Sequence, residues 1–289
     1  MNQQKHSKDK RNNAKKIFNA AHEDIFKKTV SHFNVNHKSN VFDIIKSFDG
    51  TAFQSRNLAK CLNVMLDMLQ DPERPTIFLA LAGAMIPGGL RTILRDMLDL
   101  RMIDVLVSTG ANLYHDVFEA LGFHHYLAQK KVSDLELRKH QVNRMYDVYA
   151  SDEEFNKTDI FIKNFADSLQ PNNYSTRDFL NRLGNKLQDK NSILSIAAKK
   201  NIPVFCPAIA DSGIGLSLAW HIQKRKEANR QPLLIDTIQD NLEILKIKIE
   251  ATKTGAIHIG GGVPKNYIQQ IAPMGEILNL KMPSHSYGI

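Results

Sequence analysis

The stretch from Thr76 to Gly122, TIFLALAGAMIPGGLRTILRDMLDLRMIDVLVSTGANLYHDVFEALG, constrains what this chain can fold into more than any other. Ile77–Leu81 is a continuous apolar run that gives way to Gly83, then to Pro87, Gly88 and Gly89. Leu90, Ile93, Leu94 and Met97 follow at helical spacing, and Ile103–Val107 is a second apolar run. Apolar strands without alternation are buried on both faces, and two of them separated by a helix pair in parallel through a right-handed crossover. In such sheets ligands sit beyond the carboxyl ends of the strands. Both strand ends carry small residues here, Gly83-Ala84 and Ser108-Thr109-Gly110-Ala111-Asn112. Small residues let a ligand reach backbone N–H groups, and a helix N-terminus just beyond favours phosphate. The glycines do not spell GxGxxG, so the nucleotide signal is irregular.

The same alternation resumes downstream. Ile202–Cys206, Leu233–Ile235 and Ala256–Ile259 read as strands, and Thr176–Leu187, Ser192–Lys199, Leu216–Gln223 and Asp236–Lys248 as helices. Ala52–Met68 is amphipathic, with Phe53, Leu58, Cys61, Leu62 and Met65 on its apolar side. The polar stretch from His124 to Thr176 reads as a helical insertion or a cover over the sheet. At least five strands with helical crossovers make an α/β fold, a doubly wound, mostly parallel Rossmann-like sheet with helices on both faces.

The 289 residues suffice for a large core, and the net charge of +8 is concentrated at the start. Residues 1–40 hold nine Lys or Arg against Asp9, Glu23 and Asp24, which sets them apart as a basic, partly disordered arm before a domain spanning 41–289. No aromatic interleaving or binding motif accompanies those charges, so a solvated arm is expected and nucleic acid is not. Apolar runs are too short for a membrane span, and the N-terminus lacks the apolar core of a secretion signal. Cys61 and Cys206 lie far apart inside apolar patterns and read as buried thiols of a reducing compartment, which makes the expected location cytoplasmic. His124-His125 has no partner at ligand spacing, so no metal is expected.

Four strand-end loops converge on one sheet edge in this reading: Gly83–Gly89, Ser108–His115, Ala208–Gly215 and Gly260–Asn266. Asp211 is either a helix N-cap or a carboxylate for ribose hydroxyls. Asp236 reads as an N-cap. His115, at the start of a helix facing the site, is structural or an acid/base and substrate contact. Lys265 is a solvated lysine or holds a phosphate or substrate group.

Several stretches, in order and covering about residues 40 to 289, resemble deoxyhypusine synthase and its bacterial deoxyhypusine-synthase-like relatives. They are TAFQ (51–54) with RNL (56–58), IDVLVSTGANLYHD (103–116), LELRKHQVNRMYD (135–147), FLNRLGNKL (179–187), NIPVFCPAIADSGIG (201–215), LLIDTIQDN (233–241) and IHIGGGVPKN (257–266). GAMIPGGLR and GGGVPKN are closer to the bacterial-like branch. The resemblance implies a transferase in which NAD oxidises spermidine or a related polyamine. The aminobutyl group then passes through an enzyme lysine to the hypusine-bearing translation factor or to another amine, in a homotetramer. It implies NAD contacts from Gly83, Ala84, Met85, Ile86 and Pro87, from Thr109, Gly110 and Ala111, and from His115, Asp211 and Gly261. It also implies polyamine contacts from His115, Lys265 and Asn266.

Three departures qualify the expectation. Asn266 stands where the eukaryotic enzymes have a histidine, and Leu216 where they have a polyamine-binding aspartate. After Ile289 the family continues into a tryptophan-glycine-lysine segment that carries the nucleophilic lysine. A family member lacking that segment is therefore expected, and the alternative function is a catalytically incomplete subunit or pseudoenzyme that binds NAD and assembles with an active partner.

Overall fold

In a computed structural model, residues 28–129 and 132–289 are described. Most of the expected basic arm, residues 1–27, lies outside them. The chain divides into two compact units, with the boundary between Asp67 and Met68.

The described part of the first unit begins at Lys28. Helix α1 (Val41–Ser47) is capped by Asn40, whose side chain accepts from the Asp43 amide. Helix α2 (Phe53–Gln70) follows and carries the boundary. It matches the expected amphipathic segment in extent, but Phe53, Leu58 and Cys61 are exposed, so the expectation of a buried Cys61 thiol is corrected. Cys206 is buried as expected.

The second unit is built on five parallel strands. They are β1 (Thr76–Leu81), β2 (Val105–Ser108), β7 (Val204–Phe205), β9 (Thr254–Ile259) and β10 (Tyr287–Gly288), in the order β10-β9-β1-β2-β7. The chain runs outward from β1 to β2 to β7, then returns across β1 to place β9 and β10 on its other side. The direction of winding therefore reverses between β1 and β9, where such sheets open a crevice. Alternate strand residues face opposite sides. Phe78 and Ala80, Val105 and Val107, Phe205 and Ala256 form one apolar cluster with Ile244, Leu245, Ile268 and Ile271. The other set, including Ile77, Leu79, Leu81 and Leu106, is buried as well. Both faces are covered by helices, the α/β architecture the apolar runs imply.

Those helices are α3 (Arg91–Asp99), α4 (Gly110–Ala120), α6 (Asp152–Ser168), α7 (Thr176–Lys186), α8 (Ile193–Lys199), α9 (Gly213–Glu227), α10 (Thr237–Glu250), α11 (Gly262–Gln269) and α12 (Ile271–Ile277). None among the described residues is long and apolar enough to cross a membrane. Asp236 caps α10 by accepting from the Ile238 and Gln239 amides, as its position suggested.

Two expectations change. Leu233–Ile235 does not join the central sheet. Its strand, β8 (Leu234–Ile235), pairs in parallel with β6 (Asn173–Tyr174), and the fifth central strand is β10. Leu234 is half-exposed, which a strand covered on both faces does not permit. The segment from His124 to Thr176 is not wholly helical either. Besides α5 (Asp134–Lys139) and α6 it forms an antiparallel sheet of β3 (Tyr126–Leu127), β5 (Val148–Ser151) and β4 (Val142–Met145). The β4–β5 hairpin turns at Tyr146-Asp147 with Tyr146 left-handed at φ 56, a position usually marked by Asn or Gly.

Candidate functional site

The strand register brings the predicted loops together. Leu81 stands opposite both Ser108 and Ile259, so β1, β2 and β9 end at the same level, and β7 ends close beside them. The chain beyond these ends encloses a cavity of about 490 Å³, within the range of small-molecule sites. Gly83, Ala84, Thr109, Gly110, Ala111, His115, Asp211 and Gly261 line it, as do Tyr146 and Met145 of the β4–β5 hairpin.

The remaining predicted residues lie elsewhere. Ile86 and Pro87 are buried behind the wall, and the Met85 and Ile86 amides donate to Asn112 Oδ1 at 3.1 and 3.4 Å. Lys265 and Asn266 are exposed on α11, one turn past the lining residues Gly261, Gly262 and Val263.

Backbone rather than side chain shapes most of the wall. Gly83 is left-handed at φ 82, which L side chains rarely adopt, and turns the chain away from β1 at the cavity edge. A Cβ on Gly110 would sit 2.4 Å from Ser212 Oγ, so only glycine lets the Asp211–Gly213 loop close against α4. Thr109 and Gly261 are the N-caps of α4 and α11, and neither helix receives a side-chain cap among the described residues. Their first amides stay available to an anion. Ser212, not Asp211, caps α9 by accepting from the Gly215 amide, which removes the N-cap alternative for Asp211. The exposed Asp211 carboxylate has no side-chain partner among the described residues and faces the cavity.

His115 has more structure behind it than a lone histidine. Its Nδ1 lies 3.0 Å from His125 Nε2, and His125 Nδ1 lies 2.7 Å from Glu119 Oε1. Burial, with His125 adjacent, holds the His115 pKa down to about 4. Behind Glu119 the Arg91 guanidinium bonds Asp116 and Asp189, each at 2.7 Å, and stands 3.5 Å from Glu119. Burial opposes the Arg91 charge, but the two aspartates outweigh it and raise its pKa. Asn112, Arg91, Glu119 and Tyr146 were not singled out by the sequence analysis, and His125 was weighed there only as a metal ligand. The apolar pattern read from the sequence, Leu90, Ile93, Leu94 and Met97, did not mark Arg91; the inward face of α3 is instead Arg91, Leu94 and Leu98, with Leu90 and Ile93 exposed.

Comparison with known proteins decides the lineage of this site. The sequence profile of the deoxyhypusine synthase family matches residues 43–289. The chain belongs to the deoxyhypusine synthase family. It is 39% identical over 269 residues to a deoxyhypusine synthase-like protein of Chlorobaculum tepidum, covering 91% of this chain and 75% of that one. A deoxyhypusine synthase-like protein of Coxiella burnetii is 36% identical over 273 residues, covering 92% and 76%. The crystal structure of a candidate deoxyhypusine synthase from Entamoeba histolytica superposes with a TM-score of 0.60 at 24% identity, over 81% of this chain and 80% of that one, and shows the shared fold. Membership of this family implies a transferase, and the ordered motifs of the sequence analysis belong to that family.

Proposed function

We propose that this protein is an NAD-dependent aminobutyl transferase that takes spermidine or a related polyamine as donor and an amine, on a protein lysine or a small molecule, as acceptor. The observation that carries the reading is the cavity at the winding reversal, where two helix N-termini and the Asp211 carboxylate meet, none of them capped or paired by a side chain among the described residues. These residues fit a dinucleotide. Gly261 and Gly262 have open space where a side chain would stand, the α4 and α11 amides suit the pyrophosphate, and Asp211 suits a ribose diol. NAD supplies a hydride acceptor for the carbon beside the polyamine's secondary nitrogen.

The chain's own groups do the rest. Gly83, Thr109–Ala111 and Gly261 hold the cofactor by backbone, and Asp211 orients it. His115 faces the donor amine. Lys265 and Asn266 stand one turn further along α11, and a polyamine longer than the cavity reaches toward them. Assembly as a homotetramer and a protein acceptor such as the hypusine-bearing translation factor belong to the same reading. Light scattering of the purified chain should then give four times 32.7 kDa, and a monomer mass counts against the assembly.

Isothermal titration tests the cofactor assignment. Asp211→Ala should weaken NAD binding by about 1–3 kcal/mol, the loss of a charged group's hydrogen bonds. Unchanged affinity in a folded variant removes Asp211 from the site.

A further inference from the structure

We propose that His115, His125 and Glu119 form a proton relay, in which His115 Nε2 accepts a proton from an amine in the cavity and the positive charge comes to rest on His125 opposite Glu119. That the ligand is an amine rests on the function proposed above; the relay itself rests on geometry alone.

The hydrogen bonds fix where the protons are. A carboxylate only accepts, so His125 Nδ1 donates to Glu119 at 2.7 Å. In a neutral His125 the other nitrogen, Nε2, is then bare and accepts from His115 Nδ1 at 3.0 Å. A neutral His115 that donates through Nδ1 has a bare Nε2, and this atom has no partner among the described residues while its ring lines the cavity. The carboxylate thus sets the tautomer of a histidine it does not touch.

The transfer balances as two proton moves. An ammonium N–H in the cavity gives its proton to His115 Nε2 and regains a lone pair. The Nδ1 proton of His115 passes to His125 Nε2. His115 ends neutral with its proton on Nε2, and His125 ends as an imidazolium held by Glu119. A free lone pair on the amine nitrogen is what loss of hydride from the adjacent carbon requires. His115 suits the relaying part because burial makes its own ring a poor cation, with a pKa near 4.

The surroundings agree. On α4, Tyr114 stands beside His115 and donates to Asp159 of α6 at 2.8 Å, which leaves the His115 nitrogens to the relay and the cavity. Phe155 packs against the His115 ring and Phe118 against that of His125. Asp211 and Tyr146 line the same cavity as the ring. Beyond Glu119, Arg91 with Asp116 and Asp189 keeps a positive charge 3.5 Å from the carboxylate, on its second oxygen.

Two-bond ¹H–¹⁵N correlation spectra of the ¹⁵N-histidine-labelled full chain, recorded without ligand from pH 8 downward, test the relay. The expected result is His115 protonated on Nδ1 at high pH. On acidification it should switch to Nε2–H without becoming cationic, in step with His125 becoming an imidazolium. A His115 that carries Nε2–H throughout, or that titrates to a cation near pH 6.5, overturns the proposal. Glu119→Gln removes the carboxylate that fixes the His125 tautomer and should weaken the Nδ1–H preference of His115 at high pH; an unchanged preference overturns the proposal too. His125→Phe removes the acceptor and should abolish the Nδ1–H preference of His115; retention of that preference tells against the relay, and Glu119→Gln supplies the answer if this variant does not fold. NAD titration of the same sample separates the two ideas, because absent NAD binding with an intact tautomer switch defeats the cofactor reading and leaves the relay standing.

Discussion

Asp116 accepts from Arg91 Nε, Ser192 Oγ and the Ile193 and Leu194 amides, all while wholly removed from water. One carboxylate thereby joins α3, α4 and the start of α8. Replacing Asp116 with Ala leaves Ser192 and two amides without their acceptor and removes one of the carboxylates paired with the buried Arg91, and the expected loss is about 3–5 kcal/mol in urea unfolding. A loss below 1 kcal/mol would show that the network contributes little. Arg91→Met should cost a similar amount, and the double variant clearly less than the two single losses together, because the charges compensate each other. At this scale the sequence was a partial guide. The small residues of the cavity wall could be read directly, since their lack of side chains is their function. His125 and Glu119 could not, because their importance lies in a geometry formed only when α4 and the loop after it fold together.

Between elements, the junction of α7 with α10 is a pH-sensitive contact. Asp240 of α10 accepts from Thr176 Oγ1 at 2.7 Å and from the Arg177 amide, at the first turn of α7, and Thr176 Oγ1 in turn accepts from the Cys206 amide. Burial pushes the Asp240 pKa up to about 6, against its hydrogen bonds. The folded carboxyl therefore binds its proton more tightly than the unfolded one. Its contribution to stability is full below about pH 4 and is lost as the pH rises through 6. Asp240→Asn mimics the protonated form. Its stability relative to wild type should rise by about 2–3 kcal/mol between pH 4 and pH 7, and a pH-independent difference would refute the shift. The approach of α4 to the Asp211–Gly213 loop is the other sensitive contact. Gly110→Ala drives a methyl into Ser212, and a loss of about 1–3 kcal/mol is expected in the same unfolding assay. An Ala variant as stable as wild type would show that the loop yields freely. Helices and long strands were legible as elements because their apolar periods are unambiguous. The β4–β5 hairpin was missed because Tyr146-Asp147 is not a usual turn pair, and β8 was placed in the wrong sheet because two residues carry too little pattern to choose a partner.

For the molecule as a whole, the apolar runs around Ile77–Leu81 and Ile103–Val107 were enough to read a parallel sheet, and their glycine-rich ends to read the edge where the cavity opens. Strand order was not legible, since nothing local in Ala256–Ile259 says that it crosses back to pair with β1. That return has a consequence during synthesis. As the chain leaves the ribosome, β1 can pair at once with β2, but its other edge waits for β9. The residues between Leu81 and Thr254 take roughly ten to thirty seconds to translate at about 5–20 residues per second. Throughout that interval a wholly apolar strand, Ile77 to Leu81, presents an open edge to any other nascent strand nearby. The winding reversal that creates the cavity thus also leaves β1 with one edge unpaired until β9 has been made.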